Sequence, residues 1–127
     1  MVVDDNLDAG EMLRELLQLW GHAACVCCDG PTAIEFAGRW LPHAVLLDIG
    51  LPGMSGHEVA GRLRRLLPPP LLLVAVTGYG APGDHLASRE AGFDMHLTKP
   101  VDFDELQALL DRHAAATLSG IAIGDSL

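Results

Sequence analysis

Apolar stretches of strand length alternate along this chain with stretches of helical period. Met1 to Val3, Ala23 to Cys27, Ala44 to Leu47, Leu71 to Val76 and Met95 to Leu97 read as strands. The segments that follow them, Asp8 to Trp20, Pro31 to Arg39, Ser55 to Leu66, about Pro82 to Ala91 and Asp102 to Ala115, read as helices. A strand followed by a helix, repeated along the chain, predicts an α/β fold. The form expected is a three-layer, doubly wound parallel sheet with right-handed crossovers and helices on both faces.

Spacing and caps support the helices. Leu13, Leu16, Leu17 and Trp20 share one face of the first helix, as do Phe103, Leu106 and Leu110 in the last. Asp8 with Glu11, Ser55 with Glu58 and Asp102 with Glu105 each set a capping oxygen three residues before a carboxylate that can reach back to free N–H groups. In Asp29-Gly30-Pro31 the proline falls at the first helical position, where its missing N–H costs nothing. Pro68, Pro69 and Pro70 end the third helix. Residues 117–127 lose the period and are expected to form a C-terminal tail or linker stub behind one domain over residues 1–116.

Composition narrows the function. The 17 acidic and 8 basic residues give a formal charge of −9, which opposes attraction to nucleic-acid phosphate or anionic lipid. No apolar run approaches the ~18 residues of a membrane span. The start MVVDDN is unlike a secretory leader, so the expected location is cytoplasmic.

In a doubly wound sheet, ligands bind beyond the carboxyl ends of the strands. Asp4 and Asp5 follow the first strand, Asp48 the third, Thr77 the fourth and Lys99 the fifth. If the first, third and fourth strands are neighbours, three carboxylates converge, and their repulsion calls for a cation. Oxygen donors of this kind suit Mg²⁺. A lysine and a hydroxyl beside them can hold a phosphoryl group, with Asp48 placed as the nucleophile.

The segments VVDDN, LLDIGLPGMSG, AVTG and LTKP, in this order over residues 1 to about 115, resemble the receiver domain of two-component response regulators. The resemblance implies a flavodoxin-like sheet of order 2-1-3-4-5. It also implies that Asp48 is the phosphoacceptor, that Asp5 and Asp48 bind Mg²⁺ (or Mn²⁺) directly, that Asp4 acts through water, and that the Gly50 carbonyl completes the protein ligands. Thr77 would bond the phosphoryl group and Lys99 pair with it. A cis bond between Lys99 and Pro100 would turn the lysine inward. His96 stands where the family carries an aromatic residue that turns inward as Thr77 moves, so Thr77 and His96 are the expected switch pair.

On this reading the chain accepts a phosphoryl group from a phosphohistidine of a sensor histidine kinase or a histidine phosphotransfer protein. It then presents a changed surface, formed by the fourth helix, fifth strand and fifth helix, to a downstream effector. It would be a signalling phosphoacceptor that promotes its own phosphorylation and dephosphorylation, not a conventional enzyme. The alternative is a receiver-like interaction module that signals by binding alone, against which the five retained chemical positions speak. An aspartate-nucleophile phosphohydrolase would need a second aspartate where Gly50 stands.

The remaining candidates have plainer readings. Pro52, Gly53 and Gly56 shape the turn beside Asp48. Arg62, Arg64 and Arg65 read as a solvated patch. Cys25 and Cys27 alternate onto one strand face as small hydrophobes, too few with Cys28 for a four-ligand zinc site. Trp20 and Trp40 read as packing residues. His22, His43, His57, His85 and His113 show no metal-ligand spacing, and none stands as a phosphohistidine.

Overall fold

The computed structural model describes residues 1–78 and 92–125, with side chains described through residue 115. The helix expected at about 82–91 lies outside the described residues, as do Tyr79 and His85. The elements in chain order are β1 (Val2–Val3), α1 (Leu7–Leu19), β2 (Val26–Cys27), α2 (Gly30–Trp40) and β3 (Ala44–Asp48). They continue with α3 (Gly56–Leu66), β4 (Leu72–Thr77), β5 (Met95–Thr98) and α4 (Phe103–Asp125), the last being the helix expected fifth from the sequence.

All described strand pairs are parallel and the sheet order is β2-β1-β3-β4-β5. The expected doubly wound order is therefore met. Because side chains alternate along a strand, the central strands feed two cores at once. Val3, Val45, Leu47, Leu73 and Ala75 pack with Ala33, Ala37, Val59 and Leu63 of α2 and α3. Val2, Leu46, Val74, Val76 and Leu97 pack with Leu13 and Leu17 of α1 and Leu106 and Leu110 of α4.

Several boundaries differ from the expected ones. The cap of α1 is Asn6, whose side chain accepts from the Ala9 N–H, so Asp8 falls inside the first turn. Both residue types cap well, and the earlier oxygen is the one that fits. Asp29 and Ser55 cap α2 and α3, accepting from the N–H groups of Thr32 and Glu58. Asp102 accepts from the N–H groups of Asp104 and Glu105 at the start of α4. Phe103 is 41% exposed, because the buried arc of α4 is centred on Leu106 and Leu109 and leaves Phe103 on its margin in the first turn. The helix itself continues to Asp125, past the residue at which its apolar period fades.

Arg64 departs from its reading as part of a solvated patch. Its guanidinium donates to the carbonyls of Leu71 and Gly92 and to Asp94 Oδ2 at 2.8 Å, joining α3 to the entries of β4 and β5. Asp94 Oδ2 also accepts from the Leu73 N–H, and the Asp94 N–H donates to the Leu73 carbonyl. A planar fork with several donors is suited to this bracing. Trp40 is partly exposed and lies against Phe36, with ring centroids 5.8 Å apart, while Trp20 packs on the α1 and α4 side.

Candidate functional site

The pocket is assembled by strand ends. Asp4 follows β1 directly, held there by its own N–H, which donates to the Cys27 carbonyl at 3.0 Å. Asp48 and Thr77 are the last residues of β3 and β4, one position further into the strands than expected. The ladder carries on past Asp48, as the Ile49 N–H donates to the Val76 carbonyl. Lys99 follows β5, its N–H donating to the Thr77 carbonyl at 2.7 Å, and the Lys99–Pro100 bond is cis.

These backbone positions bring Asp4, Asp5 and Asp48 together, with one carboxylate oxygen from each able to lie within 4.8 Å of the others. Asp4 is 3% and Asp48 9% exposed, whereas Asp5 is open to solvent. Lys99 Nζ stands 3.2 Å from Asp48 Oδ2 and 3.6 Å from Asp4 Oδ2. Asp48 Oδ1 accepts from the Gly50 N–H at 2.9 Å, and Asp4 Oδ1 from the Asn6 N–H at 2.9 Å. The buried Thr77 lies at the end of the neighbouring strand.

Electrostatics follow from burial. Loss of hydration raises the Asp4 carboxyl above its ordinary value; the Asn6 N–H and Lys99 pull the other way without cancelling the shift. For Lys99, burial alone would favour the neutral amine, but the charges of Asp48 and Asp4 outweigh it and leave the ammonium above its ordinary value. Three carboxylates against one lysine leave surplus negative charge on oxygen donors, which is the donor set for a hard divalent cation.

The turn after β3 has a steric reason for its glycines. Gly53 adopts a φ of +78°, where a side chain is strained. At Gly56 a Cβ would come within 2.6 Å of the Ile49 Cα and 2.9 Å of the Asp48 carbonyl oxygen, so the start of α3 can press against the end of β3 only without a side chain. Gly56 is thus a close-approach residue more than a turn residue. Sequence reasoning also missed Asn6, which ties Asp4 to α1; the signal was an amide residue directly after the acidic pair. His96 is half-buried on β5 opposite Ala75. A cavity of about 360 Å³ opens elsewhere, lined in part by Trp40, His43 and Leu110, and it shares no residue with this pocket.

The family model for the response regulator receiver domain matches residues 1–111, and the chain belongs to that family. It is 35% identical over 117 residues to an uncharacterized 14.6 kDa protein of Leptolyngbya boryana, covering 91% of this chain and 89% of that protein. It is 37% identical to the probable transcriptional regulatory protein TcrX of Mycobacterium tuberculosis, covering 98% of this chain but 56% of that protein. The chain therefore spans about half of that regulator's length. Among solved structures, a CheY-like response regulator receiver domain from Methylobacillus flagellatus matches with a TM-score of 0.77 at 30% identity, over 88% of this chain and 94% of that one. The receiver domain of the sensor histidine kinase PA1611 from Pseudomonas aeruginosa, solved with magnesium coordinated in its active site cleft, matches with a TM-score of 0.74 at 27% identity, over 87% of this chain and 92% of that one. The protein is a response regulator receiver domain of two-component signalling. Among the described residues, no helix is long and apolar enough to cross a membrane.

Proposed function

We propose that the chain accepts a phosphoryl group on Asp48 from the phosphohistidine of a sensor histidine kinase or a histidine phosphotransfer protein. The observation that carries this reading is the placement of Lys99 Nζ between Asp48 Oδ2 and Asp4 Oδ2 at the mouth of a three-carboxylate cluster. In the reaction an Asp48 carboxylate oxygen attacks phosphorus, the bond from phosphorus to the donor imidazole nitrogen breaks, and an acyl phosphate is left on Asp48. The Gly50 N–H fixes Asp48 Oδ1 and so orients the carboxylate for the attack. The Lys99 ammonium exchanges its carboxylate partner for a phosphoryl oxygen, and the Thr77 hydroxyl donates to another.

The donor set fits Mg²⁺ (or Mn²⁺), with Asp5, Asp48 and the Gly50 carbonyl as direct ligands and Asp4 acting through water. Bound there, the cation supplies neutralisation of the charge that arrives with the phosphoryl group. Hydrolysis of the acyl phosphate in the same pocket returns Asp48 to its free state. Thr77 and His96 form the switch, and the output lies on β5 and α4, where a downstream effector binds.

Incubation with acetyl phosphate and Mg²⁺, read by intact mass, tests the reading. One acid-labile phosphoryl group is expected on the wild type and none on Asp48→Ala. A wild type that takes up no phosphoryl group and gives no beryllofluoride-induced NMR shifts would instead be a module that signals by binding alone.

A further inference from the structure

The turn from β3 into α3 carries the Gly50 carbonyl, but Gly50 has no side chain to hold it, and the bond from its N–H to Asp48 Oδ1 fixes only the peptide before it. The next peptide, the one that contains the carbonyl, ends at Leu51, which is buried in the core that α2 and α3 cover. A turn held at one buried point can still swing about it. Beyond Leu51 the chain reverses through the exposed Pro52 and Gly53, the latter at a φ of +78°, and returns to Met54, half-buried against the same core. Met54 lies across Gly30, the first residue of α2. A Cβ at Gly30 would stand 3.3 Å from both Met54 Cβ and Met54 Sδ, and 2.7 Å from Val59 Cγ2. The missing side chain at Gly30 is what lets the far limb of the turn rest on α2.

We infer that Met54 is a positioning residue for the divalent cation: by pinning the far limb of the turn on α2 it gives the turn a second fixed point and so sets the direction of the Gly50 carbonyl. This role presupposes the reading above, in which that carbonyl is a ligand. Groups that orient a ligand without touching the metal govern its affinity much as the ligands themselves do. Asp48 does not depend on Met54, because the β3 ladder runs on through Ile49, whose N–H donates to the Val76 carbonyl at 3.1 Å. Lys99 is set by β5, through its own N–H bond to the Thr77 carbonyl. Loss of the Met54 side chain therefore falls on the cation and leaves the nucleophile and the lysine in place. Methionine suits the irregular space over Gly30 as an adaptable filler, and leucine, close to it in volume, is the replacement that keeps the contact.

The test is a Mg²⁺ titration followed by ¹⁵N-HSQC spectra of the wild-type chain, Met54→Ala, Met54→Leu and Val59→Ala, the last opening the same space from α3. In the wild type the Leu51 amide, which shares its peptide with the Gly50 carbonyl, is expected to shift with Mg²⁺. Met54→Ala should bind Mg²⁺ about tenfold more weakly. Met54→Leu should return to within about twofold of the wild type. Val59→Ala should melt at a lower temperature and keep the wild-type affinity. With acetyl phosphate, Met54→Ala should need correspondingly more Mg²⁺ for half-maximal phosphoryl uptake and reach the wild-type rate once Mg²⁺ saturates. A wild-type Leu51 amide that ignores Mg²⁺ would remove Gly50 from the ligands and overturn the role of Met54 with it. Wild-type affinity in Met54→Ala, or an equal loss in Val59→Ala, would overturn the role of Met54 and leave the ligand reading standing.

Discussion

The Lys99 N–H donates to the Thr77 carbonyl at 2.7 Å, so two side chains of the pocket are spaced by one backbone hydrogen bond. The parallel register that pairs Thr77 with Thr98 delivers Lys99 one step beyond the sheet, beside Asp48. The lysine is the cation already present among the carboxylates. Replacing it, as in Lys99→Ala, is expected to leave Mg²⁺ binding intact or tighter while slowing phosphoryl uptake and abolishing activation-induced shifts. A metal titration beside an acetyl phosphate time course separates the two effects, and a parallel loss of metal affinity would show that Lys99 builds the pocket instead of serving the phosphoryl group.

Asp4 carries the pH prediction. Its folded-state carboxyl is raised above the ordinary value, chiefly by burial, so the folded chain holds that proton more tightly than the unfolded chain does. Its favourable contribution is complete below the ordinary carboxylate range and is lost as pH rises through the raised value. In metal-free protein at pH 7, Asp4→Asn is therefore expected to raise Tm by a few degrees, and the gain should shrink as pH falls toward ~4. Thermal melts in chelator across that range check it; a gain independent of pH would assign the effect to something other than the charge.

Gly56→Ala should cost ~1–3 kcal/mol, since the added methyl meets backbone at Ile49 and Asp48 that cannot turn aside. Because the displaced atoms are the carbonyl oxygen of Asp48 and the backbone of its neighbour Ile49, phosphoryl uptake should fall with stability. Gly61→Ala on the same helix has nothing within 4 Å of the new methyl and is the control. Equal behaviour of the two variants in urea titrations would contradict the steric account.

Arg64→Met should lose ~1–2 kcal/mol, since it takes the guanidinium from two carbonyls and leaves Asp94 with the Leu73 N–H but no cation, while keeping much of the aliphatic stem. The comparison variant is Arg62→Met, whose pair with Glu58 is open to solvent at 3.6 Å and should contribute little. Chemical denaturation that failed to distinguish them would mean that the brace carries no more than a surface pair.

Helix alternation and the placement of Asp4, Asp5, Asp48, Thr77 and Lys99 at strand ends were legible because they rest on one-dimensional signals, apolar period, strand length and the residue at each strand's end, while the strand order that gathers them came from the resemblance to the receiver family. The Arg64 brace was not, since its partners lie up to 30 residues away and nothing local separates a bracing arginine from a solvated one. The cap at Asn6 was hidden by a competing oxygen two positions on, and the need for glycine at 56 depends on a contact between α3 and the end of β3 that no spacing rule reports. Cys25 and Cys27 were read correctly as sharing a face.

The brace at Arg64 sets how β4 and β5 can respond. Both strands are pinned where they begin, at Leu73 and Asp94, and both end in the pocket, at Thr77 and just before Lys99. They are a pair of cantilevers clamped at α3 and loaded at their tips. A pull on Thr77 or Lys99 is then taken up as bending near the tips and not as sliding of one strand along the other, which keeps the register that sets the spacing of the two side chains while their positions change.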